Sequence, residues 1–140
     1  MSNMSKWRIP AWANDIVALG PFSAVVEINR NLIFSGIVPK IKGKGMDSPG
    51  DIQAQTGEIF AKFMNFLQKG GLSLKDVFCV TVLIKANEEE FANLYMAFND
   101  IYRGEMVDAG VEKFPVRMVT GASALPFNSL LEIQFQVAIP

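Results

Sequence analysis

The run Phe114-Pro-Val-Arg-Met-Val-Thr-Gly-Ala-Ser-Ala-Leu-Pro126, with Asn128-Ser-Leu-Leu-Glu-Ile-Gln-Phe-Gln-Val137 after it, decides how this chain is read. Its first half opens a strand just after a proline, which has no N–H for a ladder and so sits at a strand's start. Arg117 and Val119 then share one face. The second half alternates. Leu131, Ile133, Phe135 and Val137 fall on one side, and Leu130, Glu132, Gln134 and Gln136 on the other, the period of a half-buried strand. If the two strands pair through Leu125-Pro126, a guanidinium and a carboxylate stand close together.

Working outward, Ala24 to Ile28 and Leu32 to Val38 are β-rich runs separated by Asn29-Arg30-Asn31, which predicts a tight hairpin. Ser35-Gly36 interrupts the second run. A glycine there marks either a bulge or the close approach of a ligand or another backbone. Lys40 to Gly50 reads as a loop rich in glycine and lysine, and Ser48-Pro49 as an N-cap with proline in the first helical position. Ile52, Thr56, Ile59, Phe60, Phe63, Phe66 and Leu67 follow at spacings of three and four, and Gly70-Gly71 closes that helix. A core-facing stripe explains those aromatics better than a cofactor box.

Val77 to Lys85 sets Phe78, Val80, Val82 and Ile84 against Val77, Cys79, Thr81 and Leu83, with little charge on either side. This predicts a central strand covered on both faces. Asn87 with Glu90 predicts a capping box for a second helix through Phe91, Leu94, Tyr95, Phe98, Ile101 and Tyr102. Gly104 is expected to end it, with Glu105 to Lys113 as a polar loop. A short leading strand near Ile16 to Leu19 brings the count to about six. The order predicts an α+β fold, a mixed sheet with two helices packed on one face. A monomer would leave the other face apolar and wet, so oligomerisation is expected. Residues 1–14, with Trp7 and Trp12 flanking Pro10, read as an N-terminal arm packed on the body or on a neighbouring subunit. Residues 15–140 read as a single domain.

Half of the 140 residues are apolar and the net charge is −1, a globular composition without the surplus of cations that nucleic-acid binding draws on. The basic knot Lys40, Lys42, Lys44 reads as a solvated loop. With no histidine, the commonest general base and metal ligand is missing, and a single cysteine permits no zinc spacing, so no metal site is expected. Cys79 reads as a buried small hydrophobe. No apolar run approaches the roughly 20 residues of a membrane helix, and the N-terminus lacks a secretory hydrophobic region. A soluble cytoplasmic protein with no membrane partner is expected. On residue types alone, Arg117 and Glu132 admit three readings. They form a structural ion pair of little worth, a carboxylate receptor built on the guanidinium fork, or a catalytic pair in which Glu132 activates water beside an acid held by Arg117.

Pro115-Val-Arg117, Leu125-Pro126 and Leu131-Glu132-Ile133 are preceded by Gly20-Pro21-Phe22, Leu32-Ile-Phe-Ser-Gly36 with Pro39, Asp51-Ile-Gln-Ala-Gln-Thr56, and Lys75-Asp76-Val77 through Thr81-Val82. In that order the blocks resemble the YjgF family, the Rid (reactive intermediate deaminase) proteins. The resemblance implies a chorismate-mutase-like fold and a homotrimer with clefts between subunits. It also implies cofactor-free hydrolysis of enamine and imine intermediates, 2-imino acids such as 2-iminopropanoate or 2-iminobutanoate, to 2-oxo acids and ammonia. In that scheme Arg117 binds the substrate carboxylate, Glu132 activates water, and the backbone of Ser35 and Gly36 lines the cleft. Three positions depart from the family's catalytic pattern: Phe22 replaces a tyrosine, Tyr95 an asparagine and Val119 a cysteine. Each lines or reshapes the implied pocket and makes it more apolar. The alternative is a non-catalytic homotrimer that binds small carboxylate metabolites. Ribonuclease action or translation inhibition fits the near-neutral charge poorly.

Overall fold

Asn29 and Arg30 take φ of 50° and 62°, both left-handed, and so make the two-residue turn whose twist suits a hairpin. They join β1 (Val25–Ile28) to β2 (Asn31–Phe34), with Ile28 opposite Asn31 and Val25 opposite Phe34. The computed structural model that shows this describes residues 6–39 and 50–140. The remaining elements are α1 (Ile52–Lys69), β3 (Val77–Lys85), α2 (Glu88–Asp108), β4 (Val116–Ala122) and β5 (Leu131–Ala138). They form an α+β fold with one five-stranded mixed sheet, ordered β1-β2-β5-β3-β4. Only β3 and β4 run parallel, and α2 is the crossover that a parallel pair needs.

Alternation along β5 puts Leu131, Ile133, Phe135 and Val137 under the helices, where none retains any exposure. α1 presents Ile59, Phe60, Phe63 and Leu67 to them, so its aromatic stripe is core. Phe63 stacks on Phe135 at 3.8 Å between ring centres, with Phe34 edge-on to Phe63 at 5.0 Å. Gln55, buried on the same helix, accepts a hydrogen bond from the Leu130 N–H at 2.8 Å and fixes the start of β5 against α1. α2 opens with the expected capping box: Asn87 accepts from the Glu90 N–H, and Glu90 accepts from the Asn87 N–H.

Several expectations are corrected. No strand forms at residues 16–19; instead Arg8 of the arm pairs with Glu27 of β1, and Trp12 packs on the core against Gly70. The expected cap at Ser48 lies outside the described residues; Asp51 caps α1 by accepting from the Ala54 N–H at 2.9 Å. α2 continues through Gly104 for one more turn, because Met106 supplies another fully buried core contact. It ends before Gly110, at φ 81°, so the expected loop 105–113 is helical in its first part. A register shift between Val77 and Cys79 turns Val77 into the core and leaves Phe78 40 % exposed. Cys79, Thr81 and Leu83 are half-buried on the sheet's open face, so within one chain β3 is covered on one side only, and Cys79 is not fully buried. Among the described residues, no helix is long and apolar enough to cross a membrane.

The stacked Phe63–Phe135 pair predicts that Phe135→Ala lowers the unfolding free energy by about 3–5 kcal/mol. Urea denaturation at fixed protein concentration measures it.

Candidate functional site

Neighbouring residues on a strand point to opposite faces, and the ladder fixes which is which. Arg117 lies opposite Val80 on β3, whereas Glu132 lies opposite Leu83. Val80 and Leu83 are three apart, so the guanidinium projects on the helix side and the carboxylate on the open side. The condition that the two strands pair with each other is not met: β3 lies between β4 and β5. Arg117 and Glu132 form no ion pair in one chain, and the sequence-predicted residues divide into two clusters.

The first gathers around Arg117. Its Cζ stands 4.7 Å from the ring centre of Tyr102 and 5.6 Å from those of Tyr95 and Phe98, and its Nη2 donates to the Tyr95 hydroxyl at 3.1 Å. Such ring contacts stabilise the cation by about 0.5–2 kcal/mol each without neutralising it. No salt bridge engages Arg117 among the described residues. A cavity of ≈ 310 Å³ opens beside it, lined also by Asn99, Arg103 and Phe114. The Tyr95 hydroxyl is held below its usual pKa, first by its hydrogen bond with Asn99 and then by the charge of Arg117. Burial pushes the Tyr102 hydroxyl up to about 12 against that same charge. Val119 is on the face shared with Arg117, as expected, but borders a separate depression beside Phe91 and Gly121.

The second cluster surrounds Glu132 at the break after β2. Ile37 pairs with Ile133, one residue out of step with the Ile33–Gln136 register, so Ser35-Gly36 is a bulge. It is also a close approach: a Cβ on Gly36 would stand 2.2 Å from Oε2 of Glu132. Ser35 donates from Oγ to the Ser23 carbonyl at 2.6 Å and from its N–H to Ala24, which commits both protons to holding the bulge. Phe22, half exposed, joins Ser35, Gly36 and Glu132 around a cavity of ≈ 270 Å³. Burial raises the Glu132 carboxyl above its usual pKa. Among the described residues, no group of three or more His, Cys, Asp or Glu forms a metal-ligand set.

Sequence reading missed Phe98, Asn99 and Tyr102 as partners of Arg117, although their spacing from Tyr95 by three, four and seven residues puts them on one helix face. It also missed Lys62 and Phe127 in the second cavity. Phe127 carries a signal only in the structure. Its φ of 57° is left-handed, a strained setting for a bulky side chain.

The model of the endoribonuclease L-PSP family matches residues 12–139. The chain belongs to that family, the YjgF/RutC/Rid proteins. A RutC family protein of Pyrococcus horikoshii is 30% identical over 116 residues, 83% of this chain and 85% of that one. A goat (Capra hircus) protein named 2-iminobutanoate/2-iminopropanoate deaminase is 27% identical over 127 residues, 91% of this chain and 86% of its own. Among solved structures, a Rid family protein of Yersinia pestis superposes with a TM-score of 0.70 at 28% identity, covering 87% of this chain and 90% of that chain. Rid membership thus accounts for the fold and for the order of the sequence blocks.

Because the folded chain holds the Glu132 proton to higher pH than the unfolded chain, this residue costs stability as pH rises from the unfolded carboxyl value, about 4.3, through the raised folded one. Glu132→Gln removes that loss. Its urea midpoint should exceed that of the native protein at pH 7, with the difference vanishing below about pH 4; an unchanged difference across the titration would show Glu132 to be solvated.

Proposed function

We propose that the protein is a cofactor-free deaminase that hydrolyses 2-imino acids, such as 2-iminopropanoate and 2-iminobutanoate, to 2-oxo acids and ammonia. Its site is assembled between subunits of a homotrimer: Arg117 with Tyr95 from one chain, Glu132 with Phe22, Ser35 and Gly36 from the next. What carries this reading is the opposed placement of the two charges. Among the described residues, Arg117 faces a cavity with no carboxylate of its own, and Glu132 faces another with no cation bound to it. The exposed apolar residues Phe78, Val116 and Met118 on the open sheet face, and Val17 and Leu19 at the second cavity, support a neighbouring subunit at both places. The name of the goat relative supports the reaction class.

The chemistry needs only these side chains. Arg117 binds the α-carboxylate through its in-plane N–H groups. Glu132 takes a proton from water as the oxygen attacks the imine carbon and the C=N electron pair moves to nitrogen, and the Glu132 carboxyl then passes that proton to the nitrogen. The carbinolamine collapses as Glu132 takes its hydroxyl proton: C=O forms, the C–N bond breaks, and the nitrogen, given that proton, leaves as ammonia. A raised carboxyl pKa makes Glu132 a stronger base near neutral pH. Ribonuclease action, which the family description names, draws no support from the net charge of −1.

The second reading, a carboxylate binder without turnover, is favoured by one observation: Phe22 puts a ring without a hydroxyl beside Glu132. An imino acid generated by an amino-acid oxidase and trapped with semicarbazide separates the two. Acceleration of its loss marks the enzyme, and 2-oxo acid binding without acceleration marks the binder.

Arg117→Ala should lower kcat/KM by about 100-fold by releasing the acid, and Glu132→Gln should abolish the chemical step while retaining binding. Co-refolded at equal amounts, the two inactive variants should regain about a quarter of native activity, the share of interfaces that receive both intact residues in random trimers. No regain would exclude a site shared between subunits. Gly36→Ala should fold but displace the Glu132 carboxyl, and lose activity in the same assay while 2-oxo acid binding persists.

A further inference from the structure

α1 buries Ile59, Phe60, Phe63 and Leu67, and the neighbouring positions Ala61, Met64 and Asn65 are exposed, as an amphipathic helix requires. Lys62 departs from that division. A lysine at the edge of an apolar stripe ordinarily extends its ammonium into water. Here Lys62 is half-buried and lines the ≈ 270 Å³ cavity with Phe66, one turn later on the same helix edge, and with Phe22, Phe127 and Glu132. It makes no hydrogen bond or ion pair with any described residue.

Glu132 in the same cavity is equally unpartnered among the described residues. The two charges do not relieve one another. Burial alone lowers the Lys62 pKa, and burial alone raises that of Glu132, with no mutual attraction contributing to either. The cavity thus presents a carboxylate and an ammonium among apolar walls that include Phe22, Phe66 and Phe127. Its volume lies near the lower end for ligand pockets, about 300 Å³, and suits a metabolite rather than a dinucleotide. One wall carries Phe127 in its left-handed conformation, a backbone strain of the kind that persists at ligand-binding surfaces.

We propose that this cavity is a side-chain subsite for imino and oxo acids that carry a second, distal acid group, and that Lys62 binds that group. The inference rests on the deaminase reading for the position of the reacting carbon at Glu132. With the α-carboxylate on Arg117 and the imine carbon beside Glu132, the substrate side chain runs along Phe22 and Phe127 and ends at the ammonium. Lys62 is a specificity residue in this scheme. It takes no part in the proton transfers.

The test compares chain-matched pairs: imines made from glutamate and 2-aminoadipate against those made from norvaline and norleucine, with calorimetric binding of the corresponding 2-oxo acids as a second readout. The native protein should prefer the distal acid by about tenfold in kcat/KM and in affinity, the scale of one partly desolvated charge pair. Lys62→Met, which keeps the apolar stem, should remove that preference, and Lys62→Glu should transfer it to side chains ending in an amine. Turnover or binding of the monoacids with no preference for a distal acid overturns the inference and leaves the deaminase reading standing. A preference that survives Lys62→Met also overturns it. Failure to turn over or bind any of these acids overturns both.

Discussion

The ladder between β3 and β5 runs from Val77 opposite Val137 to Ile84 opposite Leu131, and β2 occupies the other edge of β5. β4 is left with the outer edge of β3, where it pairs parallel. A parallel neighbour requires a long crossover, and α2 supplies it. That helix lies over the face from which Arg117 projects, and so Tyr95, Phe98 and Tyr102 come to surround the guanidinium. Glu132, displaced one pleat from the core residues of β5, faces away. The separation of the two charges is therefore a property of strand order and alternation, and no rotamer change within one chain undoes it.

Ionised groups leave water at a cost of several kcal/mol unless they find opposite charges or good donors. Arg117 is surrounded by neutral rings and a hydroxyl, and Glu132 and Lys62 are half-buried without partners among the described residues. Phe127 adds backbone strain at the same cavity wall. Elsewhere the exposed charges follow the usual pattern of weak surface pairs, Arg8 with Glu27 and Lys69 with Asp15. Enclosed charges without ionic partners and a strained backbone thus gather around the two cavities, as exceptions to local rules tend to do at sites of function.

The fold was legible where one period or one turn chemistry dominated: β5 from its alternation, α1 and α2 from spacings of three and four, the hairpin from Asn29-Arg30, and the start of α2 from Asn87 and Glu90. It was obscured where tertiary contacts overrode a local sign. Gly104 reads as a stop, yet Met106 has a core place to fill and the helix continues. One extra residue at Val77/Cys79 inverts the face of Phe78, and no pattern in Val77-Phe-Cys-Val announces it. Arg117 and Glu132 stood out by residue type and by family likeness, but their opposite faces depend on β3 entering between β4 and β5. Pairing order is set by the whole sheet and leaves no mark on either strand.

The departures that the family resemblance implies acquire a physical meaning around Arg117. Tyr95, where the resemblance implies an asparagine, engages Nη2 through its hydroxyl. With Phe98 and Tyr102 it crowds the guanidinium with rings at 4.7 to 5.6 Å, so that under the proposed function a carboxylate approaches in the guanidinium plane. An acid bound in that plane has its carbon skeleton directed out of the aromatic cluster and away from α2. In the proposed trimer that skeleton meets the apolar wall formed by Phe22 and Phe127 of a neighbouring copy. On the proposed reading, a hydroxyl lost at Phe22 and a ring gained at Tyr95 alter which skeletons fit, while Arg117 remains to hold the carboxylate.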